Sequence, residues 1–133
     1  MKKLYLMLFL IFLNFASIQA QNGSPYYYAK STVPQTLTGQ PLQFDQRVTN
    51  DLIGYNDGIF FIGTPGTYQI AGTFLLTGAL QVNVEVNSST VYESEGIINI
   101  NLHLNANDEV AFVPFATKVN SGQIFMHLVT PDS

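Results

Sequence analysis

Through most of the chain after residue 40, apolar residues recur at every second position, the period of a strand with one buried face. In "TYQIAGTF", Tyr68, Ile70 and Phe74 point one way with Gly72 between them, while Gln69, Ala71 and Thr73 point the other. In "LQVNVEV", Val82, Val84 and Val86 oppose Gln81, Asn83 and Glu85. In "IININLHL", Ile98, Ile100, Leu102 and Leu104 oppose Asn99, Asn101 and His103. The last two have the ordinary pattern of an antiparallel sheet with one wet face. The first differs, because its polar face is small and uncharged. No stretch beyond the N-terminal leader has helical periodicity.

Two late strands are apolar on both sides. "EVAFVPFA" offers Val110 and Phe112 to one face and Ala111, Val113 and Phe115 to the other. "QIFMHLV" offers Ile124, Met126 and Leu128 to one face, with Phe125, His127 and Val129 opposite. Apolar residues on both faces predict that both faces are covered. A two-layer sandwich covers one face of each sheet, so the expectation is that a partner supplies the second cover. Turn signals separate the strands at "TPGT" 64–67, "NSST" 87–90, "NAND" 105–108 and "VNSG" 119–122. Short strands with closely spaced turns predict an all-β sandwich or jelly roll.

The ends of the chain change this picture in one respect. Met1, Lys2 and Lys3 precede ten apolar residues, Leu4 to Leu13, and the run turns polar from Asn14 to Ala20. This pattern predicts a secretory signal peptide over 1–20, too short to span a membrane, with cleavage after Ala20 and no membrane insertion afterwards. Residues 21–39 read as an N-terminal tail whose Tyr26–Ala29 stretch lends an edge strand, and 40–133 as the folded domain. The chain has no Cys, so an exported form is held by packing or by assembly rather than by disulfides. Without the leader, Lys30, Arg47 and Lys118 face nine carboxylates. So acidic a chain predicts no nucleic-acid partner and no binding to anionic membrane.

Three stretches together resemble one superfamily. "GIFFIGTPGTYQIAGTF" resembles the strand, Pro-Gly turn, Tyr and alternating strand of C1q-like domains. "INLHLNANDEVAF" resembles the family's Leu-x-Leu-x-x-Gly-Asp-x-Val stretch through Leu102, Leu104, Asp108 and Val110. Asn107 stands in the Gly position, as Asn can in a left-handed turn. "SGQIFMHLV" is similar to the closing strand of the tumour-necrosis-factor branch. Among bacterial proteins the likeness is nearest to the C-terminal domain of BclA-like collagenous surface glycoproteins, although there is no Gly-X-Y stretch here.

The resemblance implies an all-β, antiparallel jelly-roll sandwich of about ten strands that forms a homotrimer, with one sheet of each protomer facing the three-fold axis. It implies that this sheet contains the strands at 67–74, 109–115 and 123–129. The implied trimer-interface residues are Gln69, Ala71, Thr73, Ala111, Val113, Phe115, Phe125, His127 and Val129. The implied function is that of a secreted, non-enzymatic structural or multivalent binding module whose ligand is an extracellular protein or glycan. A sugar-binding β-sandwich is the alternative, disfavoured by the absence of Trp.

Candidate chemistry is sparse. His103 and His127 are the only histidines and have no ligand spacing, so no metal site is expected. His103 reads as a solvated outward residue. His127 reads either as interface packing or as one of three imidazoles meeting near an axis, where they repel once protonated below about pH 6.5. Asp51, Asp57 and Asp108 lie in turn-like segments without the oxygen density that calcium needs. Glu93 and Glu95 do not define an acid–base couple, and no cofactor motif is present. Asn22 and Asn87 head formal glycosylation sequons.

Overall fold

The computed structural model describes residues 25–49, 53–115 and 117–132. The expected leader, its cleavage site, the Asn22 sequon and Asp51 lie outside the described residues. The described chain forms eleven strands: β1 (Tyr26–Ser31), β2 (Gln35–Leu37), β3 (Gln46–Thr49), β4 (Ile53–Asn56), β5 (Ile59–Ile62), β6 (Gly66–Gly78), β7 (Val82–Val86), β8 (Ser89–Ser94), β9 (Ile97–Leu104), β10 (Glu109–Pro114) and β11 (Thr117–Pro131). They make two antiparallel sheets. Sheet A runs β3-β1-β11-β6-β9, with β2 also paired to β11, and sheet B runs β4-β5-β10-β7-β8.

Between the sheets lies a core to which most of the strands contribute alternate residues. Tyr68, Ile70 and Phe74 of β6, Ile98 and Leu104 of β9, and Ile124, Met126 and Leu128 of β11 enter it from sheet A. Phe60, Val82, Val84, Val110 and Phe112 enter it from sheet B. At its centre Phe60 meets Tyr27 edge-on at 4.7 Å and Phe112 edge-on at 5.8 Å, the arrangement that opposes the positive edge of one ring to the negative face of the next. Burial pushes the Tyr27 and Tyr68 hydroxyls up to about 12, so both remain neutral donors. The Tyr68 hydroxyl donates to the Thr64 carbonyl at 2.7 Å, which ties the start of β6 to the preceding turn.

The turns follow from local chemistry. Asn87 and Ser88 take positive φ values of 53° and 68°, the two-residue loop that joins β7 to β8 with the right-handed twist of a hairpin. Asn107 has φ 71°, so it occupies the left-handed position for which it replaces Gly. Asp57 and Gly58, at φ 50° and 85°, form a further hairpin turn between β4 and β5, in the turn-like segment expected around Asp57. Gly66 is required by close approach: a Cβ there would sit 2.4 Å from the Thr130 carbonyl oxygen.

Three expectations are corrected. "VNSG" 119–122 is not a turn but part of β11, which runs through it with a bulge between Val119 and Ser121. The Asn120 amide there donates to the Thr77 hydroxyl at 2.8 Å, so its polarity is satisfied inside the ladder. The Tyr26–Ala29 stretch is not an edge strand, because β1 has β3 on one side and β11 on the other. Finally, β10 lies in sheet B and β6 and β11 in sheet A, so the strands at 67–74, 109–115 and 123–129 do not share one sheet. β10 is apolar on both sides because the single chain already covers both. Val113 is 1 % exposed, and the Gly39–Leu42 segment bonds to the Phe112 and Pro114 carbonyls along that end of the strand.

Replacing Phe112 with Ala removes a ring from the centre of this core and is expected to cost about 3–5 kcal/mol in a denaturant melt. At the left-handed turn, Asn107→Gly should leave stability near that of the parent. Asn107→Val should lower it by about 1–2 kcal/mol, because a β-branched residue resists positive φ.

Candidate functional site

The site best defined by geometry is the outer face of sheet A, the side turned away from the core. Cross-strand register builds it in rows. One row runs Tyr28, Phe125, Ala71, Asn99 across β1, β11, β6 and β9. The next runs Tyr26, His127, Gln69, Asn101, and the one on the other side Lys30, Gln123, Thr73, Ile97. Directly paired residues project side by side, so these twelve form a continuous surface.

Five of the nine expected interface residues belong to these rows, Gln69, Ala71 and Thr73 from β6 and Phe125 and His127 from β11, and Val129 of β11 adjoins them at the irregularity between Leu128 and Thr130. Ala111 and Val113 alternate with the core residues of β10 and therefore turn to the far side of sheet B; Phe115 lies just past the end of that strand. The structure thus brings the first six together and separates the other three from them.

Polar groups on the face are bonded laterally, leaving few demands for an outside partner. The Tyr28 hydroxyl donates to Gln123 Oε1 at 2.9 Å, and the Gln69 amide donates to Asn99 Oδ1 at 3.4 Å. Apolar groups concentrate along the β11 row. Tyr26 stacks on Phe125 with ring centroids 6.4 Å apart, and Phe125 lies 5.2 Å from the His127 ring. His127 is 4 % exposed, and its burial holds the imidazole pKa below the ordinary histidine value. Around this centre the face keeps accessible apolar side chains, with Ile97 73 % and Val129 52 % exposed.

The charges lie elsewhere. Glu85, Glu93 and Glu109 are on β7, β8 and β10 of sheet B. Among the described residues no carboxylate is on any of the strands that form the outer face of sheet A, and its ammonium groups are Lys30 of β1 and Lys118 of β11. Arg47 of β3 turns inward, with its guanidinium 4.4 Å above the Tyr55 ring.

The remaining candidates are structural. Asp108 accepts the Asn105 backbone N–H at 2.8 Å and the Asn87 amide at 2.9 Å, so it fastens the β9–β10 turn to the β7–β8 turn. Asn87 Oδ1 also accepts the Glu109 N–H at 3.0 Å. His103 is exposed, and its Nε2 lies 2.9 Å from Asp132, which clasps the chain end to β9. Sequence spacing does not reveal that partner, which is far along the chain and is brought near by the pairing of β6 with both β9 and β11. Among the described residues no three His, Cys, Asp or Glu side chains are placed to hold a metal ion. No helix among them is long and apolar enough to cross a membrane.

No protein-family model matches the chain, and no curated protein does. Solved structures do. The globular domain of zebrafish complement 1qA protein is 19% identical, with a TM-score of 0.65 over 81% of this chain and 99% of that one. Bushbaby GITRL is 11% identical, with a TM-score of 0.56 over 81% of this chain and 96% of that one. Rabbit GITRL is 17% identical, with a TM-score of 0.51 over 80% and 97%. The fold is therefore a C1q/TNF-like jelly roll, with eleven strands in two antiparallel sheets.

Because Asp108 serves two turns at once, Asp108→Ala is expected to cost about 1.5–3 kcal/mol, read as a lower denaturation midpoint. Asp132→Ala, which removes only the exposed clasp on His103, should cost less than about 1 kcal/mol in the same measurement.

Proposed function

We propose that the protein is an extracellular, non-enzymatic module that assembles as a homotrimer through the outer face of sheet A and acts as a structural or multivalent binding domain. The observation that carries this reading is the composition of that face. It spans the sheet, carries apolar and small uncharged residues at its centre, and among the described residues lacks the carboxylates that the acidic chain distributes over sheet B and the turns. The rows through Ala71 and Gln69 carry no formal charge at neutral pH and can be buried against copies of themselves without desolvating an ion, whereas sheet B cannot be so buried without leaving Glu85, Glu93 and Glu109 unpaired. The C1q/TNF-like fold supports the same arrangement, as does the export signal expected over residues 1–20. The likeness of the same sequence stretches to BclA-like bacterial surface domains supports an extracellular address.

The proposed interface draws on Gln69, Ala71, Thr73, Phe125, His127 and Val129 and leaves out Ala111, Val113 and Phe115, which belong to the opposite sheet. A trimer displays three copies of each connecting loop at fixed spacing. Weak attachment of one loop to a protein or glycan surface then becomes avidity, a gain of about 10²–10⁴ without new contacts.

Light scattering on the purified protein at micromolar concentration tests the assembly, with the mass of a trimer expected. Ala71→Asp places three carboxylates in the proposed interface at a half-buried position that the isolated protomer can hydrate. This variant should run as a monomer with the parent's circular dichroism. A parent monomer, or an Ala71→Asp variant that stays trimeric, means that this face is not the interface.

A further inference from the structure

His127 stands in the middle row of the proposed interface, with Tyr26 on one side and Gln69 on the other. Protonation of a buried imidazole is costly unless water or a carboxylate stabilises it, and among the described residues no carboxylate lies on the strands of this face. Among the described residues, the titratable or charged groups on this face are Tyr26, Tyr28 and Lys30 from β1, His103 from β9 and, at the far end of β11, Lys118. Asp132, beyond the end of β11, is engaged with His103. β6 contributes none to this face, because its Tyr68 lies in the core, and the charged group on β3, Arg47, is directed to the Tyr55 ring on the other side of the sheet. The face is thus built to hold a neutral imidazole. Its charged neighbours are basic, so they oppose a second positive charge.

We infer that His127 makes the assembly acid-labile: the copies associate while its imidazole is neutral and separate when it takes up a proton. This inference rests on the homotrimer reading given above. Burial already holds the His127 pKa below the ordinary value. The free protomer's imidazole is therefore neutral above that lowered pKa, where assembly carries no proton cost, and association weakens once pH falls below it. Assembly strengthens the effect, because covering the face removes remaining solvent and gathers three imidazoles in one carboxylate-poor environment. If each copy binds one proton on release, the association constant falls by up to about a thousandfold per pH unit across the transition. A change from neutral to mildly acidic surroundings would then convert a multivalent particle into monovalent ones without unfolding them.

The test is the mass of the wild-type protein, His127→Gln and His103→Gln between about pH 7.5 and pH 5, with circular dichroism recorded in parallel. The wild type and His103→Gln are expected to fall from trimer to monomer mass with secondary structure retained, while His127→Gln stays trimeric throughout. A wild type that remains trimeric at the acid end, or a His127→Gln variant that dissociates as the wild type does, overturns the inference and leaves the trimer standing. A wild type that is monomeric at about pH 7.5 overturns the trimer reading and this inference with it. If His127→Gln does not fold, the two imidazole resonances of the wild type decide, assigned by the loss of one in His103→Gln. The His127 signal must titrate together with the change in mass, and titration that is complete before the mass changes overturns the inference.

Discussion

The structure depends on one ladder, the antiparallel pairing of β6 with β11. It runs from Thr117 opposite Gly78 to Pro131 opposite Gly66, along nearly the whole of the two longest strands. β1 and β2 attach to β11, and β9 attaches to β6, so every strand of sheet A except β3 pairs directly with one member of this ladder. The ladder is close-packed through glycine. A Cβ on Gly72 would meet Ile124 Cγ2 at 2.8 Å, and one on Gly122 would meet the Phe74 ring at 2.4 Å. Those two positions let the large core residues of each strand lie over the backbone of the other, which is how a two-layer domain without disulfides reaches a dense interior.

Charge is sorted between the two sheets. Glu85, Glu93 and Glu109 occupy sheet B, and the outer face of sheet A receives no carboxylate among the described residues. This sorting keeps one side of the sandwich well hydrated and makes the other inexpensive to dehydrate. It also gives the histidine at the centre of that second side a different electrostatic setting from His103, which reaches a carboxylate at the rim.

Side-chain alternation was readable from the chain wherever one face is wet, because a period of two fixes which residues meet the core. Ile70, Val84 and Ile98 follow it directly, as does the opposite set Gln69, Ala71 and Thr73. The left-handed turn at Asn107 was equally legible, since few residue types accept that backbone. Sheet membership was not. Apolar residues on both sides of β10 and β11 report that each strand is covered twice, and they carry no information about which neighbour does the covering. Hence Val113 and Phe125 looked alike in sequence and stand on different sheets. The polar run Asn120-Ser121-Gly122 resembled a turn because a bulge and a turn both favour residues that can bond or bend outside the regular ladder.

That bulge has a consequence for how the chain can change over time. Val119 and Ile124 are an odd number of residues apart, yet both point into the core, and the extra residue at Asn120 is what reconciles them. It acts as a phase corrector: loss of that one residue would put the core set of either the first or the second part of β11 on the outside. Insertions and deletions are therefore tolerable in the hairpin tips and ruinous between Val119 and Leu128, whereas substitutions that keep alternation are the reverse. Drift in this fold is free to alter which side chains the outer face presents, and is held to a fixed count of the residues that present them.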